Sequence, residues 1–488
     1  METPLVIKSF TSENDYVAVK SLKELKHVLW SETLKIWKIA IPVALSLLFQ
    51  FLNNSSTSIY AGHLGDIELS SFSIYQNVIG SIVFALLYGM SNAVTTLCGQ
   101  AYGARQFQNA GIYLQRSWIL LLTTCILLLP LNIFATPILK LLGQEKEIAD
   151  LVGKYAILVI PNMFSYAINL PVMKYLQSQS KVNVIMYIGI VTFLTQNGLL
   201  YTFINVFDWG IIGLAMASNI SGWVFSGALV IYIIVWCKEG WNGFSWMAFR
   251  ELWEFVKLSI GSCVMICLEQ WYSACIMLLA GHLDNPVIDV GSYSICLNFQ
   301  GWHTMLVLGI SIAVSVRVST TLGMSHPREA KYSFLVTMFE SLLLGIIFMI
   351  VIFLSKDKFA SIFTKSEDMI HAASELAYLL GISMILNTIS QIISGVVIGC
   401  GWQVMVGYIN LACYYIVGLP IGIFLGFHQH LGVKGLWGGT MCGITLQILV
   451  LIVIIYRTNW INEVEQAANR MQILSSNKEQ SLNGSGWN

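Results

Sequence analysis

The chain has 488 residues; 56% are hydrophobic, only 11% are charged, and the formal net charge is zero. Soluble domains carry about 25% charged residues, so a soluble globular protein is excluded, and the long apolar runs identify a multi-pass membrane protein. The balanced charge excludes a polybasic or polyacidic partner surface and offers nothing to hold a nucleic acid.

In chain order, residues 1–35 read as a polar tail, disordered at first and then carrying an amphipathic, interfacial patch around Ser21–Trp30. No apolar stretch stands beside the start, so the first spanning helix is expected to act as its own targeting signal. Apolar segments recur at about 38–60, 71–97, 115–139, 152–173, 183–205 and 211–236. A polar stretch follows, with Trp241, Trp246 and Trp253. The second set runs at about 256–280, 291–316, 333–355, 374–398, 404–426 and 433–456. The expected organisation is a cytosolic tail (1–35), a six-helix bundle (36–237), a cytosolic linker (238–254), a second six-helix bundle (255–456) and a cytosolic tail (457–488). The fold class is an all-α integral membrane protein of about twelve transmembrane helices. The 10 cysteines fall in or beside the spans without CxxC or Cys/His ligand spacing. Neither disulfides nor a metal site is indicated.

The two sets repeat one another. Ala61-Gly62-His63-Leu64 returns as Ala280-Gly281-His282-Leu283, and Gly89-Met90-Ser91-Asn92-Ala93-Val94 as Gly309-Ile310-Ser311-Ile312-Ala313-Val314. Gly210-Ile211-Ile212-Gly213-Leu214 returns as Gly432-Val433-Lys434-Gly435-Leu436, again about 220 residues on. Each half has an even number of spans, so the repeats are parallel, an arrangement that usually places substrate between the halves near the midplane.

Orientation follows the Lys and Arg residues. With both termini cytosolic, that side collects Lys8, Lys20, Lys23, Lys26, Lys35 and Lys38, then Arg105, Arg116, Lys174, Lys181, Lys238, Arg250, Lys257, Arg317, Arg328 and Lys331, and finally Arg457, Arg470 and Lys478. The other side holds Lys140, Lys146, Lys154, Lys356, Lys358, Lys365 and Lys434. Both termini are therefore expected in the cytosol.

Glu269 stands in the middle of the apolar run 258–282. A carboxylate at bilayer depth costs a few kcal/mol at least, so it faces a cavity or partner, or carries a proton. A group that loads and unloads a proton is what a proton-driven transporter needs. The repeat aligns Glu269 with Gln50, so the halves differ chemically and proton handling is assigned to the second. Asn53-Asn54-Ser55-Ser56-Thr57 forms a polar patch in the first span, suited equally to lining a cavity and to bonding a neighbouring helix. Asn387 and Gln391 share a helix face. Trp271, Tyr272, Asn298, Gln300, Trp302 and His303 add aromatic and polar groups that suit a planar organic molecule or cation, although Trp and Tyr near helix ends also form interfacial belts. Glu340 is a second intramembrane carboxylate, expected to face a cavity or a polar partner. Walker, HExxH, GxSxG and Rossmann motifs are missing from the sequence.

Leu97-Cys98-Gly99-Gln100-Ala101-Tyr102-Gly103-Ala104, Cys267-Leu268-Glu269 with Trp271, Gly399-Cys400-Gly401-Trp402-Gln403, and Tyr408 to Pro420 together resemble the signatures of plant multidrug and toxic compound extrusion (MATE) transporters over residues 30–465 or so. The resemblance implies a V-shaped pair of six-helix bundles exporting organic solutes from the cytosol, usually against H⁺, with no other cofactor. It implies that Glu269 is the proton-coupling carboxylate. Asn387 and Thr95 stand where many members carry Asp and Glu, so coupling rests on Glu269 alone or the substrate needs no second negative charge. Gln50, Asn53, Asn54, Trp271, Tyr272, Asn298, Asn387 and Gln391 are the candidate cavity residues. Asn387, the 408–420 stretch and Thr458-Asn459-Trp460 most resemble the flavonoid-transporter branch, which implies the vacuolar membrane, with the plasma membrane second, and polyphenol or other organic substrates; a monomer handling a flavonoid or an organic cation is expected. The alternative is an anion or ion conductance on the same scaffold.

Overall fold

The computed structural model describes residues 15–250, 252–283, 286–362 and 366–484, with residues 286–287 and 473–484 as backbone alone. Lys8, Lys365, the side chain of Lys478 and the outer ends of both tails lie outside the described residues. The structure is helical nearly throughout: α1 (Leu22–Leu64), α2 (Asp66–Gly103), α3 (Phe107–Ile133), α4 (Ala135–Leu141), α5 (Lys146–Leu158), α6 (Ile160–Ser178), α7 (Val182–Val206), α8 (Gly210–Trp236), α9 (Leu252–Ala280), α10 (Pro286–Gly323), α11 (Pro327–Ser355), α12 (Glu367–Cys400), α13 (Gln403–His428), α14 (Gly432–Arg457) and α15 (Trp460–Gly484). Among the described residues 11 helices are long and apolar enough to cross a membrane, or 12 when the bent pair α5–α6 counts as one span.

The helices are built inside out relative to those of soluble proteins. On α11, Ser333, Thr337, Ser341 and Gly345 form a buried small-residue stripe, while Leu335, Phe339, Leu343 and Ile347 are exposed at the same four-residue spacing. Lipid accepts the apolar face, and small or hydroxylated residues let helix backbones approach. Proline sets the breaks. Pro137 has no N–H for the carbonyl of Ile133, so the helix expected to reach 139 stops at Ile133 and restarts as α4. Pro161 similarly sits in the first turn of α6, beyond a 48° bend at Val159. The matching helix of the second half, α12, lacks that proline and runs unbroken for 34 residues.

Turns and buried bonds preserve the sequence repeat. Arg105 and Ser325 take positive φ (58° and 64°), as do Ser180 and Gly401 (57° and 86°), and Asp208 and His430 (54° and 53°). A non-glycine residue in this region is uncommon, so two recurrences of a non-glycine pair about 220 residues apart mark one ancestral path. Arg105, Ser180, Ser325 and Gly401 each close a helix with the same six-to-one bond, such as Gln106 N to Ala101 O (2.8 Å) and His326 N to Thr321 O (3.0 Å). Asn169 Nδ2 donates to Ser226 Oγ (3.3 Å), and Ser390 Oγ donates to Gln447 Oε1 (3.1 Å) at the equivalent positions.

Chain contacts divide the molecule into two compact units: residues 45–263, and residues 1–44 together with 264–488. The divisions fall inside α1, just past Pro42, and inside α9, just past Gly261. In the first unit the polar stretch 238–250 is tied to α3: Gln115 donates to Gly243 O (2.9 Å) and accepts from Ser245 N (2.8 Å), and Arg116 reaches Arg250 O (2.6 Å).

In the second unit the N-terminal segment departs from the expected tail. With no Gly or Pro between Leu22 and Ile41, the amphipathic patch continues directly into the first span. Fully buried Glu32 binds Arg317 (3.1 Å) and Lys35 (2.8 Å), and Glu329 binds Arg317 (2.6 Å), Lys35 (2.8 Å) and His326 (2.8 Å). Ser333 donates to Glu32 as well. Asp15 accepts from the free backbone N–H groups of Arg328 (3.1 Å) and Glu329 (3.0 Å) at the start of α11, where an anion suits the helix dipole. The opposite tail is also folded. Trp460, Val464, Ala467 and Met471 form the buried face of α15, Arg470 donates to Cys400 O (2.9 Å), and Trp402 Nε1 donates to Glu463 (2.9 Å). Burial raises the Glu463 carboxyl above the usual carboxylate range, against the pull of that indole bond.

Removing one partner of a buried ion pair strands the other charge. Arg317→Met is expected to cost about 3–5 kcal/mol, read as a lower thermal unfolding midpoint of the detergent-purified protein, with Arg317→Lys recovering part of the loss.

Candidate functional site

In the second unit α12 is the rail along which polar groups assemble. One face presents Ser383, Asn387 and Gln391 at four-residue spacing, as the i and i+4 geometry requires. Gln391 Nε2 donates to Glu269 Oε1 of α9 (3.1 Å), while Ser311 Oγ of α10 donates to the Gln391 carbonyl (2.6 Å) and locks the register. Asn387 Nδ2 donates to Thr304 Oγ1 (2.8 Å), Ser383 Oγ to Gln300 Oε1 (3.5 Å), and Thr388 Oγ1 lies 3.1 Å from His303 Nε2.

A second cluster stands behind this row, centred on Gln447 of α14. Its Oε1 accepts from Tyr414 Oη (2.7 Å) and Ser390 Oγ (3.1 Å), and its Nε2 donates to Asn410 Oδ1 (2.7 Å). Tyr414 stacks on Tyr272 of α9 with centroids 5.0 Å apart and planes inclined by 12°. A Cβ at Gly418 would lie 2.6 Å from the Tyr272 hydroxyl, so only glycine leaves that ring its slot. Tyr415 donates to Leu268 O (3.0 Å), pinning the turn beside Glu269.

Glu269 is half-buried and makes no ion pair among the described residues. Its amide partner matters chemically. A glutamine offers N–H donors to a carboxylate and a carbonyl acceptor to a protonated acid, so one side chain can serve both charge states by turning over. An arginine or lysine there would hold the carboxylate charged.

The other residues singled out on sequence separate. Trp271 and Asn298 are exposed, and Asn298 returns its amide to Ser294 O (2.9 Å). Glu340 accepts from Thr33 and from Trp37 Nε1 (3.1 Å), so it fastens α1 rather than joining Glu269. Gln50, Asn53 and Asn54 belong to the unit formed by 45–263. There Gln196 Nε2 donates to Asn53 O (3.1 Å) and Thr57 Oγ1 (2.8 Å), Asn54 accepts from Gln76 (2.6 Å), and Gln50 Nε2 lies 3.9 Å from Met173 Sδ. Gln50 is the repeat equivalent of Glu269, an amide in one half and a carboxylate in the other, whereas Met173 falls on Ser394 at the offset that pairs Asn169 with Ser390. Lys174, expected in a cytosolic loop, lies instead inside α6 and is only 4% exposed. Sequence reasoning missed Gln447; its one signal was a lone amide in the apolar run of α14.

Spans joined by buried polar seams and carrying an intramembrane carboxylate describe a polytopic membrane protein with an ionisable interior. The chain belongs to the MatE family, whose model matches residues 42–202 and 262–424. It is 52% identical to Protein DETOXIFICATION 34 of Arabidopsis thaliana over 462 residues, covering 95% of this chain and 85% of that protein. It is 50% identical to Protein DETOXIFICATION 35 of the same plant, covering 96% of each. The fold matches the crystal structure of the eukaryotic MATE transporter AtDTX14 with TM-score 0.85 and 29% identity, over 91% of this chain and 99% of that one. It also matches a Vibrio cholerae MATE transporter, VcmN, in its bent form, with TM-score 0.78 and 16% identity over 90% and 99% of the two chains. The protein is thus a multi-pass membrane transporter of organic solutes with the MATE fold.

Gln447→Leu leaves Tyr414, Ser390 and Asn410 facing an apolar side chain. Each buried group left bare costs about 1–3 kcal/mol, so the unfolding midpoint is expected to fall by several degrees, and further than for Tyr414→Phe. An unchanged midpoint would mean that water replaces the amide.

Proposed function

We propose that the protein is an H⁺-coupled antiporter that moves small organic solutes, flavonoids or organic cations, out of the cytosol. The observation that carries the reading is the Glu269–Gln391 pair, an acid in a spanning helix whose hydrogen-bonded partner is a neutral amide able to serve both protonation states. In the cycle, a proton arriving from the acidic side neutralises Glu269, the Gln391 amide turns to accept its hydrogen, and the contacts of α9 with α12 rearrange as substrate leaves on that side. Release of the proton to the cytosol restores the first arrangement and substrate binding. Tyr272 and Gln391 are the cavity residues nearest this event in the hydrogen-bonded and stacked network.

The resemblance of Asn387, the 408–420 stretch and Thr458–Trp460 to the flavonoid-transporter branch supports the vacuolar membrane ahead of the plasma membrane. The excess of Lys and Arg on one side supports both termini in the cytosol. The protein acts as a monomer in this reading, with H⁺ as its coupling ion and no other cofactor.

A second reading, an ion conductance on the same scaffold, draws on the neutral residue at position 387, whose amide is engaged by Thr304. It predicts currents without a saturable organic substrate.

In proteoliposomes with an imposed pH gradient, the parent chain is expected to accumulate substrate from a panel of flavonoids and organic cations. Glu269→Gln is expected to lose gradient-driven uptake by on the order of a hundredfold, in the range for removal of a group that transfers a proton, while still exchanging substrate down its own gradient. Equal gradient-driven uptake by parent and variant would make Glu269 a structural residue.

A further inference from the structure

Lys174 is an amine buried in a membrane helix, with no counterion among the described residues. Its side chain emerges from α6 with only 4% of the residue exposed, and it makes no ion pair among the described residues. Its contacts come from α2: Nζ lies 3.5 Å from the Tyr88 hydroxyl and 4.6 Å from the centroid of the same ring. One turn further along α2, on the face that Tyr88 occupies, Asn92 is 1% exposed and its Nδ2 donor has no hydrogen-bond partner. A second turn brings Thr95 to that face, also 1% exposed, with Oγ1 unpartnered. An amine, an idle amide N–H₂ and two hydroxyls therefore lie along one seam, the α2 face that Tyr88 turns to Lys174. A buried donor left unmade costs free energy, and a buried charge is normally paired. Among the described residues this seam has no acceptor carrying negative charge paired with Lys174.

We infer that the α2–α6 seam of residues 45–263 is an anion-binding site. Lys174 supplies the charge, Tyr88 and Asn92 donate hydrogen bonds, and Thr95 closes the inner end. The ligand is a small anionic group, either a free halide or the carboxylate of an organic solute. The half-buried Tyr88 ring, stacked on exposed Phe84 (5.6 Å), marks where the seam meets accessible space. The site shares no residue with the Glu269 network, so it stands whether or not Glu269 couples to protons.

The test is thermal unfolding of the full-length protein in detergent at constant ionic strength. The bulky sulfonate MES is replaced in one series by chloride and in another by acetate. The parent is expected to show a saturable rise in midpoint with at least one of them. A response to chloride alone assigns a halide site, and a response to acetate assigns a carboxylate site. Lys174→Met is expected to weaken the response at least tenfold in half-saturating concentration, the scale of a lost charged hydrogen bond. Lys174→Arg is expected to retain it, and Tyr88→Phe, which keeps the ring, to weaken it less than Lys174→Met. Glu269→Gln is expected to respond like the parent. No anion-dependent rise in the parent, or an equal rise in Lys174→Met, overturns the proposal and leaves Lys174 as a helix-end cation held by the Tyr88 ring alone.

Discussion

Hydrocarbon offers no hydrogen bonds, and that single deficit organises the molecule. Every backbone amide must find its partner within a helix, and every polar side chain must turn towards protein. The outcome is the reversed stripe of α11, hydroxyls inward and branched aliphatics outward. Many of the polar groups so confined gather into seams where they satisfy one another. One such seam runs along α12, and Glu269 is tolerated because Gln391 meets it there. Remove the seam and the carboxylate would stand bare in a medium that rejects it.

The two halves show how one scaffold accommodates different chemistry. The helix ends coincide, down to non-glycine residues in the left-handed region at Arg105 and Ser325. Buried bonds coincide too, Asn169 with Ser226 matching Ser390 with Gln447. Side-chain identity at those places has drifted. Gln50 carries an amide where the second half carries the carboxyl of Glu269. The buried amine Lys174 belongs to the first half, and its match at the same offset is Gly395. Duplication supplied the frame, and substitution at matched positions placed an acid in one half and an amine in the other.

What could be read from the sequence follows from what periodicity and hydropathy encode. The spans and the repeat were legible because each apolar run is long and Gly-Ile-Ile-Gly-Leu has so close an echo in Gly-Val-Lys-Gly-Leu. The Asn387–Gln391 face was legible because helical spacing is rigid. Partners were not. Gln447 is a single amide in an apolar run, and nothing local says that it joins three other side chains. Lys174 looks like a loop cation because it stands near the end of its helix, and only the packing of α2 against α6 buries it. The N-terminal tail hides its partners for a related reason: Lys35 counts in the sequence only as one more cytosolic charge, and Glu32 and Lys35 pair with Arg317 and Glu329 nearly three hundred residues away. Long-range pairing of charges leaves no mark on a local window.

The absence of a break in α12 has a mechanical meaning. An unbroken helix of 34 residues is a rod about 50 Å long, and Gln391 stands nine residues, about 14 Å, from its end at Cys400. Arg470 of the C-terminal helix grips that end through the Cys400 carbonyl. An unbroken helix therefore joins the residue that Arg470 touches to the amide that touches Glu269. The counterpart α5–α6 has an elbow at Val159 and offers no such straight path. The C-terminal segment, outside the spans, thus meets the same continuous helix that carries the partner of the acid.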